Sequence, residues 1–233
     1  MTNQPPALTL EGVRFTWPGG KFGLAIDAFN IAAGEAVFLR GPSGSGKSTL
    51  LSLVAGITTP QQGRIALQGE DLTGLRASRR DRVRAEQTGV IFQMFNLVPY
   101  LTPLENILLP LRFAPNRRQR CGVLQAAALD LTRGLSLPDD LVLSVSAGTL
   151  SVGQQQRVAV ARAMIGTPPL IVADEPTSAL DSDARADFMA LLFQQVRASG
   201  AALLMVSHDP TLSDGFDRVV DLADVAQAMK AAA

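Results

Sequence analysis

Gly41, Pro42, Ser43, Gly44, Ser45, Gly46, Lys47, Ser48 and Thr49 follow one another in the Gly-x-x-x-x-Gly-Lys-Ser spacing of a phosphate-binding loop. The residue types suit that chemistry. Glycines at 41, 44 and 46 let the backbone turn so that successive N–H groups point inward, and a helix beginning behind them adds its positive end to the cradle. Lys47 would place a cation on the β- and γ-phosphates of a bound triphosphate, and the Ser48 hydroxyl would ligand a Mg²⁺ bridging the same two groups. A second constellation is Asp174-Glu175, two carboxylates where an apolar run ends. Alternation along a strand is expected to aim them differently, so that Asp174 serves a metal while Glu175 orients and deprotonates a water, a contribution of about 10²- to 10⁴-fold. His208, the single histidine, stands just past another apolar run, between Ser207 and Asp209.

The elements that must position these groups can be read from periodicity. Residues 35–40 form a short buried strand ahead of the loop and residues 48–54 a helix behind it. Residues 8–17 and 22–31 alternate apolar and polar positions around a Pro-Gly-Gly turn, which predicts an antiparallel hairpin beside the core. Residues 64–67 are expected to join that flank. Arg76, Arg79, Arg80, Arg82 and Arg84, with Asp81 and Glu86 among them, predict a solvated helix. Residues 88–92 form a strand ending in Gln93. Thr102-Pro103-Leu104-Glu105 is a capped helix start, and residues 106–143 are helical, interrupted at Pro115 and Pro138. A helix over 158–164 is followed by a buried parallel strand at 170–173, ending in the carboxylate pair where open α/β sheets bind ligands. An amphipathic helix over 183–199, strands at 201–206 and 218–222, and a helical Ala-rich tail over 223–233 complete the chain.

Composition bounds the rest. With 233 residues and 47% hydrophobic content the chain can bury a large core. Lys+Arg and Asp+Glu are both 21, so no nucleic-acid partner is expected. The one cysteine, Cys121, excludes an intrachain disulfide and is expected to be inert. No apolar run reaches bilayer-spanning length, and Met-Thr-Asn-Gln-Pro-Pro carries no targeting pattern, so any membrane role must come through a partner.

Leu150-Ser151-Val152-Gly153-Gln154, with Arg157 following, and Asp174-Glu175-Pro176-Thr177-Ser178-Ala179-Leu180-Asp181 complete a pattern. With them the chain resembles the nucleotide-binding subunit of ATP-binding-cassette transporters over nearly its whole length. The resemblance implies an α/β fold. A RecA-like P-loop core with a mostly parallel sheet and an antiparallel β flank would comprise 1–92 and 151–233, and an inserted helical subdomain 93–150. It implies ATP and Mg²⁺ as ligands, held by residues 41–49. Gln93 would reach Mg²⁺ and the attacking water, Asp174 would support the metal, and Glu175 would polarise the water. His208 would contact the γ-phosphate and Trp17 would stack on adenine. Ser151, Gly153 and Gln154 at a helix N-terminus would cover the nucleotide of an opposite subunit, and residues 178–181, ending in Asp181, would cross to it. Two copies head to tail would then enclose two ATP.

Val152 departs from the glycine usual there; it is tolerable if the position is helical and costly if φ is positive. The run from Val90 to Thr102 looks like the lipoprotein-release, macrolide-export and cell-division branch. Met94, Phe95, Leu97 and Tyr100, between Gln93 and Tyr100, are expected to form the groove for a permease helix. The leading expectation is an ATPase in the cytoplasm, peripheral on the inner face of the cell membrane through its permease. The alternative is an assembly or regulatory switch without transport, as in the cell-division-like or iron-sulfur-assembly-like relatives. DNA-repair relatives carry a long coiled coil that residues 93–150 lack.

Overall fold

A computed structural model describes residues 4–20 and 22–229. Strands β1 (Leu8–Thr16) and β2 (Gly23–Ile31) form the expected hairpin, with Leu8 opposite Ile31 and Thr16 opposite Gly23. Strand β3 (Ala36–Arg40) runs into the glycine loop and helix α1 (Lys47–Val54). Next come β4 (Gln62–Leu67) and β5 (Glu70–Asp71), helix α2 (Ala77–Gln87) and β6 (Thr88–Ile91). The chain between β6 and the signature segment contains helices and loops but no strand, with α3 (Pro103–Leu108), α4 (Pro115–Cys121), α5 (Leu124–Gly134) and α6 (Asp139–Ser144), a 3₁₀ turn between α3 and α4 and another after α6. Thr102 and Glu105 close a reciprocal capping box at α3. Then follow α7 (Val152–Met164), β7 (Leu170–Asp174), α8 (Ser182–Ser199), β8 (Ala202–Ser207), β9 (Arg218–Asp221), α9 (Leu222–Val225) and β10 (Gln227–Met229).

Two sheets result. One, in the order β10-β2-β1-β4-β5, is antiparallel; the other, β6-β7-β8-β3-β9, is parallel throughout. Side-chain alternation divides the parallel strands between two apolar layers. Val37, Leu39, Leu170, Val172, Leu204 and Val206 face the antiparallel sheet and α1, whereas Phe38, Ile171, Ala173, Leu203 and Met205 face the helical insert, α7 and α8. Both faces of the sheet are therefore covered, which accounts for the near-continuous apolar runs.

One expectation fails and another holds only in part, each for a physical reason. The tail expected as a helix over 223–233 is a single turn, α9, followed by β10, which lies antiparallel on the edge of β2. Ladder hydrogen bonds offered by that edge outweigh alanine's modest helix preference; residues 230–233 lie outside the described ones. The helix expected to be solvated forms as α2 and leaves Arg76, Arg79, Asp81 and Arg82 exposed, but it buries Val83 and Glu86. The Glu86 carboxylate accepts the free N–H groups of Asn116 (2.9 Å) and Arg117 (3.1 Å) at the start of α4.

Arg117 is 1% exposed and donates to the carbonyls of Ala85, Thr88, Ala163 and Ile165. It thereby closes the C-terminus of α7, where a cation is favoured, and joins the insert to the core. Burial pulls its pKa down to about 10, which still leaves it charged at neutral pH. Cys121 Sγ lies 3.3 Å from the Arg117 carbonyl, and burial pushes its thiol up, away from thiolate chemistry. Arg117→Met should deprive four carbonyls, three of them in buried bonds, of their guanidinium donor and lower stability by about 3 kcal/mol. Urea unfolding followed by circular dichroism measures this; an unchanged midpoint would contradict the bracing role.

Candidate functional site

The five parallel strands end on one edge of the sheet, and polar residues that follow β3, β6, β7 and β8 gather there. Beyond β3, Gly44 (φ 76°) and Gly46 (φ 108°) take the left-handed backbone that turns the loop back over itself. Lys47, at the first position of α1, is 7% exposed, and its Nζ donates to the carbonyls of Gly41 (2.7 Å) and Pro42 (2.9 Å). Beyond β7, Asp174 points to the α1 side of the sheet, the face shared by Leu170 and Val172.

Glu175 has left the strand. Its φ is 42°, uncommon for a side-chain-bearing residue, and its N–H donates to the Val206 carbonyl of β8 (2.9 Å). The left-handed turn, and not strand alternation, therefore sets the direction of the Glu175 side chain. Glu175 Oε1 lies 3.1 Å from His208 Nδ1 and 3.9 Å from Lys47 Nζ.

A cavity of about 420 Å³ is lined by Ser43, Gly44, Gly46, Lys47, Ser48, Thr49, Gln93, Asp174 and Glu175, with Phe22 on its rim. Sequence reading missed Phe22, an aromatic in an ordinary strand pattern. Trp17 stands just beyond β1, half exposed; its ring packs edge-on against Phe15 and its Nε1 donates to Thr49 Oγ1 (3.1 Å). Burial pushes the Asp174 carboxyl up, the Glu175 charge adds to this, and Lys47 opposes it.

Among the described residues no three His, Cys, Asp or Glu side chains cluster as a metal cage. The Ser48 hydroxyl, the Gln93 amide and the Asp174 carboxylate in one cavity are hard oxygen donors, the set suited to a cation that keeps water and substrate oxygens as further ligands.

Ser151, Gly153, Gln154 and Asp181 do not line this cavity. Ser151 caps α7: its Oγ accepts the Gln154 N–H (3.3 Å), and Gln154 Oε1 accepts the Ser151 N–H (2.9 Å). Val152 is the first helical residue, with no positive φ, so valine carries no backbone strain there. Asp181 caps α8 by accepting the Ala184 N–H (2.9 Å).

The loop after Gln93 departs from expectation in one respect. Met94 and Tyr100 are each 81% exposed and Leu97 is half-buried, but Phe95 is buried and does not belong to an open groove. Phe95 (φ 56°) and Asn96 (φ 52°) make a left-handed turn. Both carbonyls accept from buried Arg162 of α7, the Asn96 bond at 2.6 Å. Asn106, wholly buried, exchanges hydrogen bonds with the backbone of Val98 (2.8 and 3.1 Å). These clamps had no sequence signal, since each partner lies on a different element. Beside the loop, α2, β6 and the insert enclose a cleft of about 700 Å³ lined by Arg84, Val90, Phe92, Phe113, Arg117 and Arg162.

Residues 24–178, more than half of the chain, match the family model described as ABC transporter. The lipoprotein-releasing system ATP-binding protein LolD of Anaeromyxobacter dehalogenans is 40% identical over 227 residues, covering 94% of this chain and 91% of that protein. The macrolide export ATP-binding/permease protein MacB of Shigella flexneri is 36% identical over 223 residues, 94% of this chain but 33% of that longer protein. Among solved structures, the dimeric post-hydrolysis state of the ATP-binding cassette MJ0796 bound to ADP and Pi superposes with a TM-score of 0.77 at 33% identity, covering 97% of this chain and 99% of that one.

Because the Asp174 carboxyl is raised, ionising it costs the folded state more than the unfolded one, and its contribution to stability is lost as pH rises through the folded value. Asp174→Asn should therefore be more stable than the unchanged chain at pH 7 without nucleotide, with the difference shrinking below the carboxylate range. Denaturant midpoints at the two pH values check this; a destabilised variant at pH 7 would contradict the burial account.

Proposed function

The chain belongs to the ABC transporter family as an ATP-hydrolysing nucleotide-binding subunit, and we propose that it works as a head-to-tail homodimer that drives a membrane permease of the lipoprotein-release and macrolide-export branch. The observation that carries this reading is the convergence of Lys47, Ser48, Gln93, Asp174 and Glu175 on one cavity at the strand ends. Residues 41–49 cradle the triphosphate through backbone N–H groups and the α1 N-terminus. The Lys47 ammonium, lodged on the Gly41 and Pro42 carbonyls, exchanges these for phosphate oxygens. Ser48, Gln93 and Asp174 would hold Mg²⁺, which when bound would supply charge neutralisation at the phosphates. Glu175 accepts the proton of the attacking water. His208, bonded to Glu175, orients that carboxylate and reaches toward the γ-phosphate. Trp17, tethered to Thr49 beside the loop, offers its ring to adenine.

Ser151, Gly153, Gln154 and Asp181, which do not line the cavity of their own chain, act on the nucleotide of a second copy. The MJ0796 dimer, similar to this chain over almost its full length, supports that pairing. Among the described residues no helix is long and apolar enough to cross a membrane; attachment to the inner face of the cell membrane through a permease is the reading that the transporter relatives support. Exposed Met94 and Tyr100, with Phe113 at the cleft, form the contact surface in place of buried Phe95. The names of the LolD and MacB relatives favour transport over an assembly switch.

Glu175→Gln keeps the shape of the site and loses the proton acceptor, so it should bind ATP, turn it over about 100-fold more slowly, and accumulate as a dimer. Size-exclusion chromatography with saturating ATP, beside a phosphate-release assay, checks both effects. Rapid turnover by this variant would remove Glu175 from its role.

A further inference from the structure

His208 is well exposed, and the contact its ring makes with Glu175 depends on how the backbone from 207 to 209 is held. On one side, Ser207 ends β8 and is buried, and its Oγ accepts the Asp209 N–H (3.1 Å). On the other side stands Asp209. Its Oδ1 is taken up locally by Thr211, through N (3.0 Å) and Oγ1 (2.7 Å), while its Oδ2 pairs with Arg185 Nη1 from the first turn of α8. Arg185 Nη2 also donates to the Leu180 carbonyl (3.4 Å), in the loop that leads from Glu175 to the Asp181 cap. One planar guanidinium thus spans two loops that carry different parts of the site.

We propose that Arg185 is a positioning residue for hydrolysis: by joining the Leu180 carbonyl to the Asp209 carboxylate, it sets the His208–Glu175 contact and relays to it any displacement of loop 178–181. This rests on the reading of His208 and Glu175 as parts of the hydrolytic site. The fork geometry matters, because a guanidinium donates in two fixed directions whereas an ammonium is a single mobile charge. A pair with 29% and 26% of its two side chains exposed contributes little to overall stability. Its value lies in orientation, where small misplacements of a reacting group are costly. When a second copy engages residues 178–181, their shift pulls on Arg185, hence on Asp209 and the imidazole beside it.

His208 is the only histidine of the 233 residues, so this chain gives one imidazole Cε1–H signal in a carbon-13 NMR spectrum. Arg185→Met should displace that signal, lower kcat about tenfold and leave KM for ATP within about twofold. Arg133→Met, which breaks a comparable pair with Asp139 in the insert, should move neither. Arg185→Lys should lie between, since lysine can meet Asp209 without also reaching Leu180. Asp209→Asn, which retains an acceptor for Thr211, should displace the signal as well. Combining it with Arg185→Met should add little, as expected for two halves of one link. An imidazole signal unmoved in both Arg185→Met and Asp209→Asn would overturn the proposal. Unimpaired turnover by His208→Ala would instead remove the hydrolytic role of His208, while a displaced signal in Arg185→Met would still report the physical link.

Discussion

A parallel sheet buried on both faces leaves only the ends of its strands free for chemistry, and this constraint fixes where everything else must stand. Arg40 of β3 lies opposite Ser207 of β8, and Val206 of β8 lies opposite Asp174 of β7. The register therefore brings the glycine loop, the carboxylate pair and the histidine to one edge without any of them having to reach. Apolar alternation holds the register, since a slip by one residue would exchange the two core layers. Chemistry at the edge inherits its geometry from packing in the middle.

Rigid strand ends are joined by loops, and the loops are held by side chains sent from helices. Arg162 of α7 holds the left-handed turn at Phe95 and Asn96, Gln156 of the same helix donates to the Pro176 carbonyl just past Glu175, and Asn106 of α3 fixes Val98. The helix that begins at Ser151 thus grips both the loop after Gln93 and the loop after Glu175. A displacement of α7 would be felt at both sensors of the cavity, because buried hydrogen bonds of this kind cost about 1–3 kcal/mol each to leave unmade. That arrangement gives a physical route between the exposed Met94 and Tyr100 loop, proposed above as the permease contact, and the strand-end cavity.

The strands, the glycine loop and the clustered carboxylates were legible because their signals are local: apolar runs of strand length, glycines at fixed spacing, and turn residues between them. What stayed hidden depends on distant partners. Arg117 and Glu86 sit in arginine-rich, polar stretches that look solvated, yet they are buried because carbonyls and amides from other elements converge on them. Phe95 looked like its exposed neighbours Met94 and Tyr100, since a left-handed turn leaves no periodic trace. The alanines of the tail favour helix locally, and an open edge on β2 takes Gln227–Met229 as a strand instead. Val152 was ambiguous only until its helical backbone was in view.

The central claim is that each nucleotide is shared between two copies, with Lys47 of one facing Ser151 of the other. Mixing two inactive variants tests it most directly. Ser151→Arg fills the α7 cradle with a large cation and Lys47→Ala removes the phosphate cation, so either homodimer has two damaged sites. A heterodimer concentrates both lesions in one site and leaves the other intact. The account predicts that ATP turnover, near zero for each variant alone, returns when the two are combined. Heterodimers that form readily yet neither bind nor hydrolyse ATP at an undamaged site would contradict it.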